Sequence, residues 1–165
     1  MKKLIFVRHG RAEDPAPEFS DFERSLTTKG KAIARRISLE LLEKETTPGI
    51  MITSPAFRAL ETAIIFALEF RVNPENIVLD SNIYHKMNFK YLIEILSDVT
   101  EDTDTITLFG HNPSFSEITN NLCKNGCDSM PKCGVATISF DIKKWSDIKR
   151  NTGNLEYFLK PENTL

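Results

Sequence analysis

Lys3-Leu4-Ile5-Phe6-Val7 runs directly into Arg8-His9-Gly10, and this stretch decides the fold. An apolar run of that length, rich in branched residues, reads as a strand buried on both faces, as in a parallel sheet covered by helices. Gly10 lets the chain turn without a side-chain clash. A guanidinium and an imidazole therefore stand where a buried strand meets solvent, and in open α/β sheets ligands bind at that end of the strands. An Arg beside a His there suits an anionic group held by the first and attacked or protonated by the second. Taken alone, the pair equally fits a strand-edge cation and a capping imidazole.

Working outward, Arg11 to Phe22 is polar and irregular, with Pro15 and Pro17 marking a loop. Ser25 to Gly30 leads into a helix that Thr27 or Thr28 can cap. Ala32, Ile33, Ile37, Leu41 and Leu42 recur at helical spacing before Thr46-Thr47-Pro48-Gly49 ends it. Ile50 to Thr53 is a second strand, stopped by Ser54-Pro55, with Pro55 read as a helix start. The helix Ala56 to Phe70 carries Arg58 on its first turn and shows Leu60, Ala63, Ile64, Ala67 and Leu68 as its apolar side. Asn76 to Asp80 reads as a third strand, Ser81 to Asn88 as a loop, and Phe89 to Val99 as a helix. Thr105 to Phe109 is a fourth strand, followed by Gly110-His111-Asn112-Pro113 and a short helix from Ser114 to Cys123. Asn125 to Gly134 is rich in turns. Val135 to Phe140 and Leu155 to Leu159 are further strands, with Trp145 in the polar stretch between them. Strands alternating with helices indicate βαβ units. The expectation is one α/β domain over 1–165, a three-layer α/β/α sandwich whose mostly parallel sheet has an antiparallel edge.

The 165 residues carry Lys+Arg 21 against Asp+Glu 23, a formal charge of -2. That balance favours neither nucleic acid nor an anionic membrane as a partner. No apolar run is long enough to span a bilayer, and the first strand begins almost at Met1, which points to a cytoplasmic protein without a targeting segment. Cys123, Cys127 and Cys133 are odd in number and have no His at a ligand-like interval. They read as thiols rather than a disulfide framework or a zinc site.

Three strand ends carry matching chemistry: Arg8-His9-Gly10, Ser54-Pro55-Ala56-Phe57-Arg58 and Gly110-His111-Asn112-Pro113. In a parallel sheet they lie on one rim, so two Arg and two His converge beside helix N-termini. That set suits a phosphoryl group. Arg presents a planar fork matching phosphate oxygens, and helix N-termini add free N–H donors. An unprotonated imidazole can attack phosphorus while a second, protonated one stabilises the equatorial oxygens. These cations leave no electrostatic task for a metal or cofactor, and no carboxylate cluster for Mg²⁺ is evident at the rim. Singly, His111 also fits a helix cap and Arg58 a solvated first-turn residue. Their joint placement at strand ends is what favours a site.

These motifs resemble the signature of the histidine phosphatase superfamily, with its phosphoglycerate-mutase-like fold. The chain's shortness, Leu26-Thr27-Thr28-Lys29-Gly30, Ile83-Tyr84 and Met130-Pro131 are similar to its small SixA-type branch, the phosphohistidine phosphatases. The similarity runs over nearly the whole chain. The resemblance implies that His9 is a nucleophile that becomes phosphorylated, that Arg8 and Arg58 clamp the phosphoryl oxygens, and that His111 stabilises the transition state. It places Gly10 at the substrate and has Asn112 either touch the phosphate or orient His111. Many larger relatives carry a Glu general acid after the third strand. Here Asp80-Ser81-Asn82-Ile83-Tyr84-His85-Lys86 has none, and His85 is either a proton donor near the substrate or a solvated loop residue. An imidazole leaving group needs less help than an alkoxide, which fits phosphohistidine on a protein. The other readings are a phosphomonoesterase for a small metabolite and a module that binds a phosphoprotein without turning it over.

Overall fold

The structure, a computed structural model, describes residues 1–127 and 129–161. Its centre is a six-stranded sheet in the order β3-β2-β4-β1-β5-β6. The strands are β1 (Lys2–Arg8), β2 (Ile50–Thr53), β3 (Val78–Leu79), β4 (Thr105–Gly110), β5 (Val135–Phe140) and β6 (Asn154–Leu159). β1 to β4 run parallel, and β5 is antiparallel to both β1 and β6. The sandwich expected from the sequence is therefore the one observed.

The two-residue period of β1 explains the layers. Leu4 and Phe6 point into one core with Leu92, Leu96, Phe115 and Trp145. Ile5 and Val7 point into the other with Ala34, Ile37, Leu41 and Phe66. All four β1 side chains are fully buried, and each contributes roughly 1.5–3 kcal/mol relative to exposure. Helices α1 (Thr28–Lys44) and α2 (Phe57–Glu69) cover the second face. The first face is covered by α3 (Ser81–Lys86), α4 (Phe89–Ser97) and α5 (Ser114–Leu122). Thr27 caps α1, its hydroxyl accepting from the Gly30 N–H at 2.9 Å.

Several local expectations are corrected. Ser81–Lys86 is a short helix, not a loop, because the Asp80 carboxylate accepts from the Asn82 N–H at 2.8 Å and caps it. The buried face of α2 is Arg58, Ala59, Thr62, Ala63, Phe66 and Ala67, while Leu68 is 60% exposed and Leu60 and Ile64 lie at the margin. Three alanines a turn apart let the helix press onto the sheet, so the larger residues are turned outward. On α1, Ala34, Ile37, Ser38 and Leu41 face inward, and Ala32 and Leu42 do not. Trp145 is buried despite its polar neighbours, its indole N–H donating to the Thr103 carbonyl at 3.0 Å. The three cysteines are buried and none is in a disulfide among the described residues. Cys123 and Cys127 lie in one core and Cys133 in the other, on opposite faces of the sheet. Among the described residues no helix is long and apolar enough to cross a membrane.

Candidate active site

The register of three parallel strands assembles the site. Arg8 lies opposite Gly110 across β1 and β4, and Thr53 lies opposite Phe109 across β2 and β4. The residues that follow, His9, His111 and Ser54, leave the sheet side by side. Their exit is fixed by the His9 N–H donating to the Gly110 carbonyl and the Ser54 N–H to the Phe109 carbonyl, each at 3.0 Å. The two imidazoles stand with ring centroids 5.1 Å apart. His111 Nε2 meets the Ser54 hydroxyl at 2.8 Å.

His9 Nδ1 lies 2.7 Å from the Gly10 carbonyl oxygen. A carbonyl only accepts, so Nδ1 carries the proton and the lone pair of the neutral ring is on Nε2. Gly10 thus serves through its carbonyl, while its N–H donates to Thr62 Oγ1 at 3.0 Å. Its φ is not positive, and, as the sequence reading expects, Gly10 matters here because it brings no side chain into the turn. A Cβ there would come within 3.2 Å of Leu26 and 3.3 Å of the Gly30 carbonyl oxygen. The Thr62 hydroxyl in turn donates to the Arg58 carbonyl at 2.7 Å. The turn holding the imidazole and the helix holding the second guanidinium are therefore one braced unit.

Arg8 Nη1 donates to the Met130 carbonyl at 2.8 Å, whereas its Nε is buried without a hydrogen-bond partner among the described residues. Asn112 Nδ2 donates to the same Met130 carbonyl at 3.0 Å. The Ser116 hydroxyl donates to Asn112 Oδ1 at 3.1 Å and accepts from the Met130 N–H at 2.9 Å. Arg58, 7% exposed, donates from Nη1 to the Asp21 carbonyl at 2.6 Å and from Nη2 to Asp21 Oδ2 at 2.9 Å.

Electrostatics follow from this crowding. Burial pushes His9 down to about 3; the Gly10 carbonyl opposes that shift, and the charges of His111, Arg58 and Arg8 add to it. Burial, then Arg58, pushes His111 down to about 4, with Asp21 opposing and Arg8 assisting. Both guanidiniums therefore act on both rings. The sequence reading gives the second imidazole a proton; in the structure burial and two neighbouring cations favour its neutral form. Burial works to raise the Asp21 carboxyl, but hydrogen bonds and charge from Arg24 and Arg58 outweigh it and hold it below the ordinary range. Asp21 is thus an anion at neutral pH. The rim does carry a carboxylate, which the sequence did not reveal.

No protein-family model matches the sequence. A stretch of 74 residues is 36% identical to an uncharacterized protein of Picosynechococcus sp., covering 44% of this chain and 45% of that relative. The match thus spans less than half the length of the curated relative. The likeness in structure is far more extensive. A provisionally assigned phosphohistidine phosphatase SixA from Agrobacterium tumefaciens superposes with a TM-score of 0.79 at 21% identity, over 97% of this chain and 98% of that one. The protein histidine phosphatase SixA complexed with tungstate gives 0.77 at 20% identity, over 96% and 97% of the two chains. The chain has the histidine phosphatase fold. A mycobacterial glucosyl-3-phosphoglycerate phosphatase is similar too, with a TM-score of 0.70 at 13% identity over 95% of this chain and 98% of that one.

Within that fold the structure brings Arg8, His9, Arg58 and His111 into one cup. Asn112 stands beside it, its amide engaged by Met130 and Ser116. His85 is exposed on α3, and its ring contact is with Tyr84 at 5.4 Å. Sequence reasoning did not single out Asp21, Thr62 or Tyr84 for the site, and it gave Ser54 no role of its own. Thr62 had a signal, standing four residues after Arg58 on the same helix face. Asp21 had none, because it sits in a stretch without periodicity.

Proposed function

We propose that this protein is a phosphatase that uses His9 as its nucleophile and acts on phosphohistidine carried by another protein. The observation that carries the reading is the Nδ1–H of His9 donating to the Gly10 carbonyl, which leaves the Nε2 lone pair available beside two arginines and His111. Nε2 attacks phosphorus and the substrate's P–N bond breaks, its electron pair returning to the substrate imidazole. A phosphoimidazole protonated on its second nitrogen leaves as neutral imidazole, so bond breaking needs no strong general acid. His85, exposed beside Tyr84, is the candidate for any proton delivered from outside. As Nε2 bonds to phosphorus the His9 ring becomes cationic, and the Gly10 carbonyl is placed to stabilise that charge.

Arg8 and Arg58 hold the equatorial oxygens, with the unpartnered Arg8 Nε as a ready donor. His111, steadied by Ser54, completes the clamp through an N–H. Water then attacks phospho-His9, the P–Nε2 bond breaks, and the pair returns to Nε2 as phosphate departs. Asp21, an anion on Arg58, accepts the proton of that water. Tungstate held by a protein histidine phosphatase of this fold supports an oxyanion in the cup. No step above calls on a metal.

The glucosyl-3-phosphoglycerate phosphatase of the same fold favours a second reading, hydrolysis of a small phosphorylated metabolite. A substrate panel in EDTA decides. Turnover of a phosphohistidine protein, lost in His9→Ala, is expected, with sugar and nucleotide monophosphates hydrolysed at least a hundredfold less efficiently. Full activity in His9→Ala, or preference for a metabolite, overturns the proposal.

A further inference from the structure

A row of rings climbs out of the cup on one side. Tyr84 lies edge-on to His111, centroids 5.7 Å apart, and its hydroxyl is 3.4 Å from Asp21 Oδ2. Phe22 stands edge-on to Tyr84 at 5.3 Å, and Phe57 follows at 5.9 Å from Phe22. The row begins against a residue of the phosphoryl cup and ends at Phe57, which is 42% exposed. Its members come from three separate elements: Phe22 from the short 3₁₀ turn Asp21–Glu23, Phe57 from the start of α2 and Tyr84 from α3. Core packing does not require rings here, since Phe22 and Tyr84 are only partly buried.

Given the phosphatase reading above, on which this rests, we infer that Tyr84 and Phe22 form a specificity wall that selects a planar leaving group. An in-line displacement by His9 Nε2 places the leaving nitrogen on the side of phosphorus opposite His9, outward from the cup. On this inference, a substituent leaving in that direction meets the ring row that begins against His111 of the cup. A flat imidazole gains ring contact there, in the offset or edge geometry that aromatic pairs adopt. A leaving group without a ring leaves those two side chains half-covered and gains nothing from them. The hydroxyl of Tyr84 is secondary, because it is turned to Asp21 Oδ2.

The test compares two substrates with the same bond to break, phosphoimidazole and phosphoramidate, in the full chain and its variants. The readout is the ratio of their kcat/KM values, relative to wild type, so intrinsic reactivity cancels. Tyr84→Leu and Phe22→Leu keep apolar bulk but remove the ring. Each is expected to lower the ratio by about threefold to tenfold. Tyr84→Phe keeps the ring and is expected to leave the ratio within about twofold. If both Leu variants retain the wild-type ratio, the wall does not exist. If wild type turns over neither compound nor a phosphohistidine protein, the phosphatase reading itself has failed and the inference falls with it.

Discussion

Lys2 and Arg8 stand at opposite ends of β1, and the strand treats its two cations differently. Lys2 is 1% exposed, and its three ammonium donors meet three acceptors: the carbonyls of Glu101 and Thr103 and the carboxylate of Asp104. The Trp145 ring lies 5.4 Å from the same ammonium. Arg8 gives one donor to Met130, keeps Nε buried with no partner among the described residues, and shares its surroundings with a second guanidinium and two neutral imidazoles. A buried donor without an acceptor costs about 1–3 kcal/mol. Two cations side by side add repulsion. Among the described residues one end of the strand is thus electrostatically closed, and the other keeps uncompensated positive charge, as the proposed site requires. Burial of charge alone would not have separated structure from function here; the count of donors against acceptors does.

Exchanging each cation for an apolar isostere should break the two ends in opposite ways. Arg8→Met should cut kcat/KM by about 10²–10³-fold, as loss of an oxyanion donor does, while the urea midpoint barely moves. Lys2→Met should leave activity near wild type and cost roughly 3 kcal/mol in urea unfolding, because two carbonyls lose their donor. Loss of stability in the first variant, or of turnover in the second, would erase the distinction.

The imidazoles sharpen it further through pH. His9 has a folded value of about 3 against 6.5 for an ordinary imidazole, so between those values the unfolded chain binds a proton that the folded chain does not. Stability must therefore fall as pH falls below 6.5. The loss is roughly 2 kcal/mol from this ring between pH 7 and pH 5. His111, also depressed, acts in the same direction. Urea unfolding of His9→Gln at the two pH values should show a shallower loss than wild type; an identical loss would mean that His9 is not held neutral by the fold. The smallest effect is expected for Ser54→Ala. Removing the hydroxyl that steadies His111 should lower kcat about fivefold, the worth of one hydrogen bond, with Ser54→Thr recovering most of it.

The cup was legible in the sequence because its members sit at fixed places in a simple pattern. An apolar run that stops at Arg8-His9 and another that stops at Gly110-His111 need only pair in parallel, in the observed register, to bring the imidazoles together. The side of α2 that packs was legible only in part. Of the five residues read as its apolar side, Ala63 and Ala67 are buried, whereas Leu60, Ile64 and Leu68 give way to Ala59 and Phe66, because close approach to the sheet selects small side chains along one line. Asp21 and Phe22 were invisible for another reason: they are set by where an irregular loop folds back onto Arg58 and Tyr84, which no local periodicity encodes. The helix at Ser81 could have been read from the Asp80 cap. It was masked by the polar composition of the segment.

The central claim is that the phosphoryl group passes through Nε2 of His9. Rapid quenching into alkali during turnover of a radiolabelled phosphohistidine protein, followed by peptide mapping, tests it most directly. Base-stable, acid-labile phosphate on the peptide carrying His9, absent in His9→Gln, is the predicted result. Turnover with no label on the protein at any time, or label confined to His111, would contradict the account.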